Sequence, residues 1–269
     1  MITIDKCVLT ISSELQSEKK RIEDSRTKML GGLPIFSYSS SDFPKEIRHY
    51  RTLFPNNWLD TTLLKDGDEI RSMCQEFQEY ISSKKVKERD ILKWIKDNRA
   101  YHLLGALISK KNFGHHDAFI FPEFQLGNSY KVDFLLVGKN SGGYQFLFVE
   151  LESPVGRIFT KSDDLGDVHR KGLKQIDDWR KWLEQNYNSI HSTFKKYIKP
   201  NETLPAEFLT YDSTRFHYCV VAGRREDYEE SNDARYRLRR DTEKKCNLNL
   251  YHFDNLIDFA ESIIGNTTY

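Results

Sequence analysis

The sequence predicts an α/β domain in which a sheet is layered with helices, and three observations lead there. Residues 119–152, FIFPEFQLGNSYKVDFLLVGKNSGGYQFLFVELE, read as three consecutive strands with turn residues between them. Val168 to Tyr187 follows as a strongly amphipathic helix, its apolar stripe formed by Leu173, Ile176, Trp179 and Leu183. Phe216 to Ala222 (FHYCVVA) then returns to a buried strand. A later strand reached through a crossover helix is the mark of layered α/β topology.

Taken in order, Ile2, Ile4 and Val8 suggest a strand over residues 2–11, and the charged run Glu14 to Met29 suggests a solvated helix. Gly31-Gly32, Ser37 to Ser41 and the prolines at 34 and 44 read as loop. Glu46 to Leu64 has a mixed pattern and receives no assignment. Asp68 to Ile81 is helical by the spacing of Ile70, Met73, Phe77 and Ile81. Residues 1–85 thus form an N-terminal α+β region without recognisable chemistry. A recognition domain, an oligomerisation element and an extra shell all fit it.

Lys87 to Ser109 is helical, and Asn98 and Gly105 suggest a break between two helices. The strands are Phe119 to Leu126, Tyr130 to Val137 and Tyr144 to Glu152. The second and third are near-continuous apolar runs, as expected for strands covered on both faces. After them SPVGRIFTKSDDLGD is a loop, and residues 188–214 are loop-rich, with Pro200 and Pro205. Asp233 to Lys245 reads as a basic helix, Leu248 to Phe253 as a short strand, and Asp254 as the N-cap of a last helix ending at Ile264.

Bulk properties narrow the function. At 269 residues the chain can bury a large core. Its net charge of +1 offers no whole-molecule attraction to nucleic acid, so any such partner must be met by a local patch. Candidate patches are Asp233 to Lys245 and Arg157 to Lys199, although a basic helix is also an ordinary solvated face. Cys7, Cys74, Cys219 and Cys246 form no CxxC pair, which argues against a disulfide framework or a zinc site and for a reducing cytoplasm. No apolar stretch approaches the roughly 18 residues of a membrane span, and no secretory signal is expected.

The chemistry lies in the hairpin. Asp133, Glu150 and Glu152 interrupt apolar runs, and burying an unpartnered carboxylate costs several kcal/mol or more, on the order-of-magnitude scale of such transfers. Alternation along a strand puts Glu150 and Glu152 on one face. Pairing Asp133 with the 146–150 region brings it beside one of them. Two carboxylates, a carbonyl and water suit Mg²⁺ or Mn²⁺ rather than zinc, and such an ion supports phosphodiester hydrolysis. The competing reading is a pair of strand-end glutamates that simply reach solvent. Lys161 in the following loop is the nearest candidate cation. Lys171 and Gln175 share a helix face at i, i+4, with His169 close to the same rim.

The run PEFQLG at 122–127, with VDFLLVG at 132–138, FVELESP at 148–154, IFTKSDDLG at 158–166 and KQIDDWRKWL at 174–183, resembles the PD-(D/E)xK nuclease superfamily. More specifically it resembles the Shedu family of bacterial anti-phage nucleases. VVAGR at 220–224 and LYHFDNLIDF at 250–259 extend the likeness, which runs from about residue 88 to the end. The resemblance implies a restriction-endonuclease-like core over 86–269, a mixed sheet flanked by helices, acting as a Mg²⁺- or Mn²⁺-dependent DNA endonuclease. It implies Asp133 and Glu150 as metal ligands and Gln175 flanking them. The superfamily pattern expects lysine two residues after the glutamate, and Glu152 stands there. Lys161 is the first choice to take that lysine's role and Lys171 the second, with Glu152 an added ligand. The resemblance also implies a variable, controlling N-terminal region; DNA and a second copy of the chain are the partners expected. The alternative is a degenerate nuclease fold that binds nucleic acid or a partner protein without cleaving.

Overall fold

The computed structural model describes residues 12–30, 33–36, 42–83, 86–229 and 233–269. The strand expected over 2–11 and the loop residues 31–32 and 37–41 lie outside them. Helix α1 (Ser13–Arg26) buries none of its residues, as its charged composition requires. It leads into a two-stranded antiparallel hairpin of β1 (Thr27–Leu30) and β2 (Leu33–Phe36). A strand at 33–36 corrects the loop expected around Pro34, since Leu33 and Ile35 alternate as a short edge strand can. Helix α2 (Lys45–Tyr50) and a 3₁₀ turn at Thr61–Lys65 fill the stretch left unassigned.

Helix α3 (Gly67–Ile81) buries Ile70, Cys74, Phe77 and Ile81, and the Asp66 carboxylate caps it by accepting from Glu69 N at 3.3 Å. Helices α4 (Glu88–Asp97) and α5 (Tyr101–Ser109) are separate, as Asn98 suggested. The break lies at Arg99, whose φ of 53° is left-handed. Helix α5 is apolar on nearly every side and correspondingly buried.

The main sheet has five strands among the described residues, in the order β3-β4-β5-β6-β7. They are β3 (Asp117–Leu126), β4 (Tyr130–Asn140), β5 (Gly143–Leu151), β6 (Phe216–Val221) and β7 (Asn249–Tyr251). The first three are antiparallel; β6 and β7 run parallel to β5, reached through crossover helices. Helix α6 (Asp167–Phe194) makes the first crossover and α8 (Ala234–Cys246), after the short α7 (Arg225–Glu229), the second. The layering of sheet and helices is what the strand pattern predicts, and the mixed sheet is what the resemblance implies.

Helix α6 runs to Phe194, two turns beyond the predicted end, so part of 188–214 is helix rather than loop. Non-helical backbone at Asn186 interrupts it, but Tyr187, Ile190 and Phe194 continue the buried stripe. The last helix, α9 (Phe253–Ser262), takes His252 rather than Asp254 as its N-cap. The Asp254 carboxylate is engaged by the Arg224 guanidinium, at 2.7 Å from Nη2.

One face of the sheet packs on Ile176, Trp179 and Leu183 of α6, the other on α3, α4, α5 and α9. Residues N-terminal to 85 enter both layers. Phe54 and Trp58 join the α6 side and α3 the other, while Asn57 Nδ2 donates to Ile120 O at 2.8 Å.

Candidate functional site

The β3–β4 ladder is continuous except at one row. Pro122 pairs with Phe134 and Phe124 with Val132, so the register is the same on both sides, but Glu123 and Asp133 between them do not pair. Glu123 has a φ of 51°, a costly conformation for a non-glycine residue. The facing pattern changes phase there. Phe119 and Phe121 lie on the α6 side before the break, and Phe124 and Leu126 after it. On β4 the same side holds Val132 before Asp133, then Leu135 and Val137. The break releases Asp133 from the ladder, and its Oδ2 accepts from Leu151 N at 2.8 Å across β5. With Phe134 opposite Val149, Asp133 stands opposite Glu150.

Glu150 is 1% exposed and Glu152 2%. Glu152 follows β5 and stays tied to β6 through its N–H to Val221 O at 2.8 Å. Helix α6 comes close to the sheet at Gly172, where an added Cβ would lie 2.6 Å from Val220 Cγ1 and 3.2 Å from Glu152 Cγ. That approach sets Lys171 and Gln175 over the acids. Gln175 Nε2 donates to Glu150 Oε2 at 3.3 Å. Lys171 Nζ donates to Glu152 Oε2 at 2.9 Å and to Glu88 Oε2, in the first turn of α4, at 2.7 Å. Asp133 and Gln175 open onto a cleft of about 610 Å³, also lined by Glu88, Lys131 and Glu123.

Lys171 thus pairs with Glu88 and Glu152, while Asp133 and Glu150 beside them have no ion pair among the described residues. Burial pushes the Glu150 carboxyl well up, and repulsion from Asp133, Glu152 and Glu88 pushes it further. Asp133 is raised first by burial and then by Glu88 and Glu152, against the hydrogen bond from Leu151 N. Burial likewise raises Glu152 to about 7 although Lys171 opposes it. Burial alone would lower the Lys171 ammonium, but the bonds to Glu88 and Glu152 outweigh it and hold it raised. Glu152 Oε1 is buried without a hydrogen-bond partner. Such a cluster lacks positive charge.

The residues present fit a hard divalent cation. Among the described residues no three His, Cys, Asp or Glu side chains converge as a ready ligand shell. Mg²⁺ needs no such shell, since it binds through one or two carboxylates and keeps several waters. Asp133 and Glu150 are the two carboxylates that could hold it, with Asp133 opening onto the cleft.

Asp133, Glu150, Glu152 and Gln175 thus come together as the spacing suggested. Lys161 does not join them. It is exposed in the turn closed by the Phe159–Leu165 bridge and, among the described residues, makes no ion pair with the acids. Lys171, the second choice, reaches Glu152 instead. His169 is not at the rim: it is fully buried, with Nδ1 on Ile158 O and Nε2 on the Tyr228 hydroxyl, each at 2.9 Å. Glu88 was missed. In the charged run KKVKERD nothing marks one acid above another, and only the packing of α4 brings it to Lys171.

The family model described as Shedu protein SduA, C-terminal, matches residues 85–257. The chain belongs to the Shedu family. No curated protein and no solved structure matches it. The match to Shedu covers α4 to α9 up to residue 257 and so contains the whole acidic site, from Glu88 to Gln175. Among the described residues no helix is long and apolar enough to cross a membrane.

Proposed function

We propose that this Shedu-family chain is a Mg²⁺- or Mn²⁺-dependent DNA endonuclease with a PD-(D/E)xK-like core, serving anti-phage defence. The observation that carries the reading is the Asp133–Glu150 pair, two carboxylates opposed on adjacent strands, Asp133 lining an open cleft and Glu150 buried beneath Gln175 and raised by its acidic neighbours. A divalent cation held there supplies a Lewis acid that lowers the pKa of a water and offsets charge building on a phosphodiester. Gln175 fixes the Glu150 carboxylate from α6. Lys171, held at the site by Glu88 and Glu152, takes the role expected of the superfamily's lysine in this reading, its charge favouring the developing negative charge on the phosphodiester oxygens.

Supercoiled plasmid incubated with Mg²⁺ or Mn²⁺ is expected to be nicked or cut, and Glu150→Gln is expected to abolish the product. Equal cleavage by that variant would remove the site assignment.

A second reading is a domain that binds nucleic acid or a partner protein without cleaving. It is favoured by Glu152 in the lysine position and by the Lys171 ammonium already shared between two carboxylates. Salt-sensitive DNA binding with no product under either metal would select it.

A further inference from the structure

Next to the acidic cleft lies a second cavity, of about 680 Å³, large enough for a nucleotide. Glu123 lines both cavities. Its carboxylate is held by Lys96 on one side and Lys131 on the other, so a single residue divides them.

The second cavity has the opposite character. Lys96, Arg99 and Lys196 face it, against Asp97 and Glu123. Asp97 is paired with Lys93, and Glu123 with Lys96 and Lys131. Among the described residues neither the Arg99 guanidinium nor the Lys196 ammonium has an ion pair or a side-chain hydrogen bond. Two cations without partners at one cavity suit a phosphate.

A bare anion would leave other groups unmet. Asn56 and Asn57 also line the cavity, and the Oδ1 of each is buried with no hydrogen-bond partner. Asn57 is 3% exposed, and its Nδ2 is committed to Ile120 O. Unmet acceptors ask for N–H donors, which a nucleobase carries and a phosphate does not. Tyr197 adds an aromatic wall. Arg99 and Glu123, both left-handed without being glycine, border the same space, and such backbone strain gathers at binding sites.

We propose that this cavity is a nucleotide subsite, with phosphate on Arg99 and Lys196 and a base against Tyr197, Asn56 and Asn57. Resting on the nuclease reading, the nucleotide belongs to the substrate strand, which continues past Glu123 into the acidic cleft. The same chemistry would be offered by a free nucleotide.

The test is fluorescence anisotropy of a labelled single-stranded oligodeoxynucleotide in chelator, repeated with free deoxynucleoside monophosphate as competitor. Arg99→Ala/Lys196→Ala is expected to weaken oligonucleotide binding by about tenfold or more, as loss of charged hydrogen bonds does. It should also reduce the slope of log Kd against log salt by about one to two. Arg99→Lys/Lys196→Arg should keep the affinity, showing that charge is read. Lys196 is exposed, so Lys196→Gln alone, with about half of the slope change, serves if the double variant does not fold. Monophosphate that binds the wild type but not the double variant, while oligonucleotide affinity is the same in both, assigns the cavity to a free nucleotide and overturns the strand subsite. Unchanged affinity and slope in all variants, with Glu150→Gln still abolishing cleavage, overturns the subsite and leaves the nuclease reading standing. Charge-dependent binding in the cavity with no cleavage by the wild type does the reverse.

Discussion

Glu150 sits among apolar side chains on the central strand, where an ionised carboxylate weakens the fold unless a cation relieves it. The sign follows from its raised pKa. An acid whose folded pKa lies above its unfolded one loses stability as pH rises through that range. At pH 8 in chelator, Glu150→Gln should therefore melt no lower than the wild type, and thermal shift measures this directly. Added Mn²⁺ should raise the melting temperature of the wild type, because a ligand that binds only the native state stabilises it, and should not raise that of the variant. A large loss of melting temperature in the metal-free variant would mean that the carboxylate supports the fold instead. Lys171 and Lys161 are separated in the same way. Lys171→Ala should cut cleavage by about 10²–10³-fold, the scale for removing one charge-stabilising donor, while Lys161→Ala should change it little. Similar losses for both in single-turnover cleavage would restore Lys161. The sequence made Asp133, Glu150 and Gln175 legible because hairpin pairing and helix periodicity act over short distances. It ranks Lys161 above Lys171 by nearness in sequence, whereas which of them reaches the acids depends on where the start of α6 meets the sheet.

At the scale of elements, that meeting point is Gly172. Replacing glycine by alanine inside a helix normally stabilises by about 1 kcal/mol. Here the new methyl would lie 2.6 Å from Val220, and overpacking costs about 1–3 kcal/mol. Gly172→Ala should lower the melting temperature and also cleavage, since it pushes Lys171 and Gln175 away from the acids. Gly172→Ala/Val220→Ala should recover part of both losses, and an unchanged single variant would show that α6 has slack. The strands and the start of α6 were readable from apolar runs and turn residues. The helix past Asn186 was not, because Asn186 and the polar residues after it look like a terminus until Phe194 is seen in the core. The basic helix was read correctly as a helix, but its charge is partly turned inward. Arg235 binds Asp163 at 2.8 Å, and Arg239 binds Glu243 at 3.2 Å. Net basic composition therefore overstated the positive surface that α8 presents.

For the molecule as a whole, stability should depend on pH through buried imidazoles. Burial lowers His102, His169 and His217 to about 4 each. An unfolded histidine takes up its proton near 6.5. Between those values these three side chains bind more protons in the unfolded chain, so the stability they contribute at pH 7 is lost as pH falls from about 6.5 toward 4. The raised Asp133, Glu150 and Glu152 carboxyls act with the opposite sign over the same window, so the imidazole part is read as a difference: His217→Gln should lose less melting temperature, or gain more, than the wild type between about pH 6.5 and pH 4.5. Calorimetric proton uptake on unfolding at pH 5 should fall by about one in that variant; an unchanged uptake would place His217 outside the effect. The layering was legible from the order of strands and helices. The contribution of residues 43–81 to both layers was not, because Phe54, Trp58 and Phe77 carry no sign of which partner they will meet.

The interrupted row at Glu123 and Asp133 also bears on how this fold can drift. Both strands change phase together without changing register, so an unbroken ladder would turn Phe124, Leu126 and Val132 to the opposite face of the sheet. Healing the break therefore requires those strand ends to be repatterned as well as Glu123 and Asp133 replaced, which removes an acid from the site. The healed hairpin should be more stable and catalytically silent. In a lineage no longer selected for activity nothing maintains the strained row, and regular alternation through FPEFQ and KVDFL would record that loss in sequence alone.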